Sequence, residues 1–305
     1  MKLKLLLLLS LIAGTATAQF TTFQSPSTQW ALPAFPDNTV VFTPKEYKDS
    51  VTKYYPTIIY FHGTGEAGTD VNKLTSNYLL GRIKSGWEPQ ATNPVTGKLE
   101  KFIVIAVQDA GGWSPYPAAM RYAWKYTVAT AMKGLRVDTN RIYTTGLSSG
   151  GQTSVMYACW DSTFAGKIAA VVSLSPAALE AQAVQNLPMF AKYNTPVWFI
   201  SGSTDGNTDY AKAYTTTINN AGGYAWTTVY PGGHGGWDAM YNGTTTRVVN
   251  GKTLNIYEWM LLNSRGPAPV APVDTTTTPP VIPTKKLLIT IKVYSDGTTE
   301  NIPAQ

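Results

Sequence analysis

The sequence predicts an α/β protein built on a doubly wound, mainly parallel sheet. Six short apolar runs carry the first half of that prediction: TIIYF at 57–61, FIVIAV at 102–107, RIYTT at 141–145, IAAVVSL at 168–174, VWFI at 197–200 and WTTVY at 226–230. They are rich in β-branched and aromatic residues and do not alternate with polar ones, the pattern of strands covered on both faces. Helical patterns between them carry the second half, at 121–133, 150–159 and 209–221, the last closed by Gly222 and Gly223. Strand and helix in alternation bring successive strands side by side and parallel.

Before the first run stands a leader. Residues 1–18 have a positive start (MKLK), an apolar stretch at 5–13 and a small-residue cleavage site, ATA, at 16–18. The apolar stretch falls short of the ~20 residues a bilayer span needs. A signal peptide is therefore expected, with Gln19 as the mature N-terminus and a secreted or periplasmic product without stable membrane insertion. The main domain is expected at 19–265. A Pro/Thr-rich linker follows at 266–284, extended and unable to pack a core. The last segment, 285–305, predicts a short β-hairpin turning at Asp296-Gly297.

Composition narrows the chemistry. Of 305 residues, 44% are hydrophobic and only 14% charged, so the chain carries a globular core under a polar, weakly charged surface. Removing Lys2 and Lys4 of the leader from the formal net charge of +6 leaves +4. The remaining basic residues are scattered, which argues against nucleic acid as a partner. Cys159 is the single cysteine, which excludes an internal disulfide framework and a multi-cysteine metal site. No metal or cofactor is expected. His62 and His234 are the only histidines, so any imidazole chemistry falls to one of them.

The strongest local signal is Gly-x-Ser-x-Gly at 146–150. A strand pattern feeds into it and a helix pattern leaves it, the strand–turn–helix context in which the central serine is a nucleophile. The turn is so sharp that a Cβ two residues either side of Ser148 would clash, and the hydroxyl is pushed out above the sheet. A serine needs a base to take its proton. His234 lies in PGGHGGWD at 231–238, a glycine-rich loop after the last core strand. The base in turn needs a carboxylate to orient it. Asp205 follows the strand at 197–200 and is the candidate, with Asp209 and Asp238 as alternatives. The order Ser148, Asp205, His234 differs from those of chymotrypsin and subtilisin and is the order of α/β-hydrolases.

An acyl-transfer site also needs amides aimed at the developing oxyanion. Ser149 follows the nucleophile and supplies one; the second is assigned to Thr64 or Gly65, in FHGTGEAGTD at 61–70. His62 is expected to hold that loop by hydrogen bonds, with Glu66 bracing it. Trp113, Trp237 and Tyr241, together with His62, are candidates for contact with substrate, since aromatic faces near such a site suit sugar or phenolic groups.

These motifs, at 61–70, 137–151 and 233–238, resemble those of secreted α/β-hydrolases of the predicted peptidase and phospholipase/carboxylesterase group. That group is related to feruloyl and acetylxylan esterases and to polyhydroxybutyrate-depolymerase-like esterases. The resemblance spans about 55–262. It implies a metal-independent serine esterase acting on a carbohydrate-linked or small soluble ester, with Ser148 as nucleophile, Asp205 as acid and His234 as base. Two positions depart from the family: Ser149 stands where methionine is usual, and the Val-Pro common after the acid is missing beyond Asp205. A serine peptidase on the same scaffold, and a non-catalytic carbohydrate-binding module, are the rival expectations.

Overall fold

A computed structural model describes residues 20–24, 38–109, 128–129, 132–266, 289–293 and 299–303. The leader, Trp113, most of the expected helix at 121–133, nearly all of the linker and the Asp296-Gly297 turn lie outside the described residues. The chain divides into two compact units, Met1–Arg247 with Leu254–Ala271, and Val248–Thr253 with Pro272–Gln305.

The first unit holds an eight-stranded sheet. Its strands are β1 (Phe20–Gln24), β2 (Asn38–Phe42), β3 (Tyr55–Phe61), β6 (Ile103–Gln108), β7 (Val137–Leu147), β8 (Ile168–Leu174), β9 (Val197–Gly202) and β10 (Ala225–Tyr230). A small antiparallel pair, β4 (Gln90–Thr92) and β5 (Leu99–Lys101), precedes β6. The strand order is β1-β2-β6-β3-β7-β8-β9-β10. From β6 to β10 every pairing is parallel, while β2 runs antiparallel to both β6 and β1. The chain has the α/β-hydrolase fold, as expected.

The apolar runs form strands because both faces are covered. Every residue of β3, β6, β8 and β9 is buried, which is why these runs show no polar alternation. β10, at the edge, is only partly buried. Ile59, Ile105, Val171 and Phe199 meet helix residues such as Val155, Phe190 and Ile218 in one core. Two helices fall within a residue of their expected bounds, for different reasons. Thr208–Asn220 buries Thr208, Ala211, Tyr214 and Ile218, a single stripe at helical spacing. Ser149–Ala158 is buried at all ten positions, so it needs no polar face. Cys159 caps it, is fully buried, and has its thiol pushed up to about 12 by burial. Arg265 bonds through its amide to Asn140 and through its guanidinium to the carbonyls of Ala165, Ile168 and Tyr193.

The winding of the sheet locates the site. From β3 the chain steps to β6 on one side, and β7 then returns to the other side of β3. The connections leaving β3 and β7 therefore diverge, opening a crevice at their carboxyl ends, the usual place for a ligand in such sheets. Phe61 pairs with Gly146 there, which sets the loop after β3 beside Ser148. The second unit contains the antiparallel strands Ile289–Val293 and Thr299–Pro303. Among the described residues no helix is long and apolar enough to cross a membrane.

Burial ranks the effect of truncation. Ile105 is 0% exposed and Val51 is 82% exposed. Ile105→Ala is expected to lower stability by about 2–5 kcal/mol in denaturant unfolding, and Val51→Ala to change it by no more than about 0.5 kcal/mol.

Candidate active site

Ser148 sits between β7 and helix Ser149–Ala158 with φ 54° and ψ −119°, a backbone conformation that serine rarely adopts. Three backbone bonds hold it there. Its amide donates to Leu174 O (2.9 Å), and its carbonyl accepts from Gln152 N (3.0 Å) and Ala177 N (3.2 Å). The flanking glycines are required by close approach to β3. A Cβ on Gly146 would stand 2.5 Å from Phe61 O, and one on Gly150 would stand 2.5 Å from His62 O.

The ring of His234 bridges Ser148 and Asp205. Its Nε2 lies 2.9 Å from Ser148 Oγ, and its Nδ1 lies 3.1 and 3.0 Å from the two Asp205 oxygens. The tautomer that satisfies both contacts carries its proton on Nδ1, donates it to the carboxylate, and accepts from the serine hydroxyl. The loop bearing His234 is stitched to the end of β9. Ser203 N donates to Tyr230 O (2.8 Å), Thr204 N to Gly232 O (2.8 Å), and the Tyr230 hydroxyl to the carbonyls of Gly233 and Gly235. Gly202 permits this, since a Cβ there would stand 2.5 Å from Gly232 O.

Asp205 is 7% exposed. Burial works against its ionisation. The Asn207 amide at 2.9 Å from Oδ1, the Ser175 hydroxyl and His234 outweigh that, so the carboxyl is held below its ordinary range. Neither alternative carboxylate reaches the ring. Asp209 points into solvent beside Lys212 (3.5 Å), and Asp238 opens the short helix Asp238–Tyr241.

The loop after β3 turns through a short 3-10 segment, Thr64–Glu66. The Gly63 amide is taken by Glu66 Oε2 at 2.9 Å. The Thr64, Gly65 and Ser149 amides have no acceptor among the described residues, and Thr64 Oγ1 reaches Ser149 Oγ at 3.4 Å, so loop and helix start lie side by side. The loop is braced against the end of β6. Gln108 Nε2 donates to Glu66 O (2.9 Å) and Asp70 O (2.8 Å), and Gly68 N donates to Asp109 O (2.7 Å).

Three of the expected substrate contacts are corrected. His62 is 2% exposed with both ring nitrogens engaged: Nδ1 donates to Gly63 O (2.6 Å) and Nε2 accepts from Asp109 N (2.8 Å). Burial lowers its pKa to about 4 against the opposing Gly63 bond, so it is a neutral strut. Tyr241 is 0% exposed, its hydroxyl 3.2 Å from Thr145 Oγ1 beneath the site, which leaves nothing to present to a ligand. Trp237 is buried too. Its indole Nε1 donates to Ser175 Oγ (3.2 Å) and its ring meets His234 edge-on with centroids 5.0 Å apart, so it backs the imidazole. Ser175, absent from the sequence-based candidates, is fully buried with φ 45° and joins Trp237 to Asp205. It follows a buried strand run without glycine or motif, so only its position marks it.

No family model matches the chain, and no curated protein does. Solved structures do. A ferulic acid esterase superposes with a TM-score of 0.53 at 17% identity, covering 74% of this chain and 94% of that one. A thermostable esterase gives 0.56 at 20%, covering 81% of this chain, which spans only 63% of that protein. FphF, a fluorophosphonate-binding serine hydrolase of Staphylococcus aureus, gives 0.54 at 13%, covering 80% and 98%. At these identities the likeness is one of fold.

Glu66 provides a test of the loop. It is 2% exposed, and burial, only partly offset by the Gly63 amide, pushes its pKa up from 4.5 to about 8. A raised carboxyl pKa means the folded state favours the protonated form. That contribution is full below about pH 4.5 and is lost as pH rises through 8. Glu66→Gln, which cannot ionise, is expected to flatten the fall in Tm of the wild type between about pH 4.5 and 8. An unchanged alkaline slope would contradict this account.

Proposed function

We propose that the protein is a secreted serine hydrolase that cleaves carboxylic esters through an acyl-enzyme on Ser148. The single observation that carries this reading is the bridge of His234 between Ser148 Oγ at 2.9 Å and Asp205 at 3.0 Å. Leader residues 1–18 support the secreted part, and the fold shared with a ferulic acid esterase supports the ester part.

The chemistry follows from the contacts. Ser148 Oγ attacks the ester carbonyl carbon while His234 Nε2 accepts its proton. Asp205, ionised and bonded to Nδ1, stabilises the imidazolium that results. The carbonyl oxygen becomes an oxyanion and is met by the Ser149 amide and that of Thr64 or Gly65, none of them spent on another acceptor among the described residues. His234 then returns its proton to the departing alcohol, and the ester bond breaks. Water, deprotonated by the same nitrogen, repeats the attack on the acyl-enzyme and frees Ser148. The His234 side chain is 39% exposed, and Thr64 and Gly65 are exposed. So open a site suits a small soluble ester or one attached to a carbohydrate, of feruloyl or acetyl type.

Ser148→Ala is expected to lower kcat on p-nitrophenyl acetate by at least about 10⁴-fold, and to abolish the fluorophosphonate adduct seen by intact-protein mass spectrometry. His234→Ala is expected to lose as much, because His62 is buried with both nitrogens engaged and cannot replace it. Activity of either variant within tenfold of the wild type would overturn the assignment. Turnover of a peptide anilide above that of esters would make the enzyme a peptidase instead.

A further inference from the structure

Beside Trp237 lies a cavity of about 500 Å³ that the chemistry above does not use. Its walls include Asn77, Tyr78, Arg82, Ser85, Trp87 and Asp238. The Arg82 guanidinium stands 5.0 Å from the centre of the Trp87 ring, and among the described residues it meets no carboxylate; its Nε is buried without a hydrogen-bond partner. Asp238, the first residue of the short helix Asp238–Tyr241, lines the same cavity, and its carboxylate forms no hydrogen bond or ion pair among the described residues. Tyr78 is held at φ 50°, a conformation disfavoured for a bulky aromatic residue, and its ring meets Trp237 edge-on at 5.5 Å. Trp237 in turn packs on His234. Two ring contacts, Tyr78 to Trp237 and Trp237 to His234, thus link the cavity wall to the imidazole.

These walls select among ligands. A carboxylate would meet Asp238, an ammonium group would meet Arg82, and an apolar group would leave both without partners. A neutral molecule bearing several hydroxyls suits both, because a hydroxyl can donate to the carboxylate and accept from the guanidinium. Asn77 adds a further donor and acceptor, Ser85, whose hydroxyl donates to Gly81 O, adds an acceptor, and Tyr78 and Trp87 add apolar ring surface. We propose that this cavity is a binding subsite for a neutral sugar residue. Its attachment to the ester cleaved at Ser148 rests on the ester-hydrolase reading; sugar binding itself does not.

The test uses the full-length protein and saturation-transfer NMR with xylotriose, cellotriose and mannotriose as neutral probes and trigalacturonate as the anionic one. Transfer to at least one neutral triose is expected, falling at least fivefold in Arg82→Gln and in the conservative, solvent-exposed Asp238→Asn. No transfer to any neutral triose, undiminished transfer in both variants, or preference for trigalacturonate would overturn the proposal. A kinetic arm compares an acetylated xylo-oligosaccharide with p-nitrophenyl acetate. Arg82→Gln is expected to lower kcat/KM at least tenfold more on the sugar ester; an equal loss on both would overturn the link between subsite and ester. If the wild type hydrolyses neither, the ester reading falls, and the NMR arm still decides the sugar site.

Discussion

The site depends on how closely the backbone leaving β7 can approach the backbone leaving β3. Gly146 and Gly150 lie against the carbonyls of Phe61 and His62 with no room for a Cβ. That proximity forces the turn at Ser148 into positive φ and lifts its hydroxyl clear of the sheet. It also brings Thr64 beside Ser149, their hydroxyls 3.4 Å apart. One steric constraint thus sets the Ser148 hydroxyl and the loop after β3 together. The strain is small against the two buried strands that impose it, about 1–3 kcal/mol for such a residue.

The same device recurs on the other side of the crevice. Gly202 lets the loop bearing His234 cross the end of β9, and the bonds from Ser203 and Thr204 fasten it. Behind the imidazole, Trp237, Ser175 and Asp205 are linked in turn, so the ring is held by a carboxylate and packed against an aromatic side chain. Five described non-glycine residues have positive φ, and two of them are asparagines, which tolerate it. Of the other three, Ser148 meets His234 itself, and Tyr78 and Ser175 meet Trp237, which packs on that imidazole. Strain is concentrated where the side chains must be aimed.

How much of this was legible depends on how local each signal is. The buried parallel strands announce themselves, because covering both faces demands continuous apolar runs. β2 does not: Asn38–Phe42 is short, and its pairing with β6 and β1 is what makes it a strand. The elbow was legible because its glycines and serine are consecutive. His234 was legible because histidine is scarce. The aromatic residues misled, since Trp237 and Tyr241 follow the base in sequence yet turn inward, one to Ser175 and the other to Thr145. Arg82 and Tyr78 carry no motif and come to notice only through the cavity they share with Asp238.

By itself the sequence determined the alternating architecture and the identities of Ser148, Asp205 and His234 as candidates, because apolar periodicity and turn stereochemistry are written in neighbouring residues. It also narrowed any imidazole chemistry to two side chains. Tertiary structure alone decided that His234 meets Ser148 while His62 is a buried strut between Gly63 and Asp109. It likewise chose Asp205 over Asp209 and Asp238, and gave Ser175 its place. Those choices turn on contacts between residues far apart in the chain, and hydrogen-bond geometry and burial are properties of the packed sheet, absent from any local stretch of sequence.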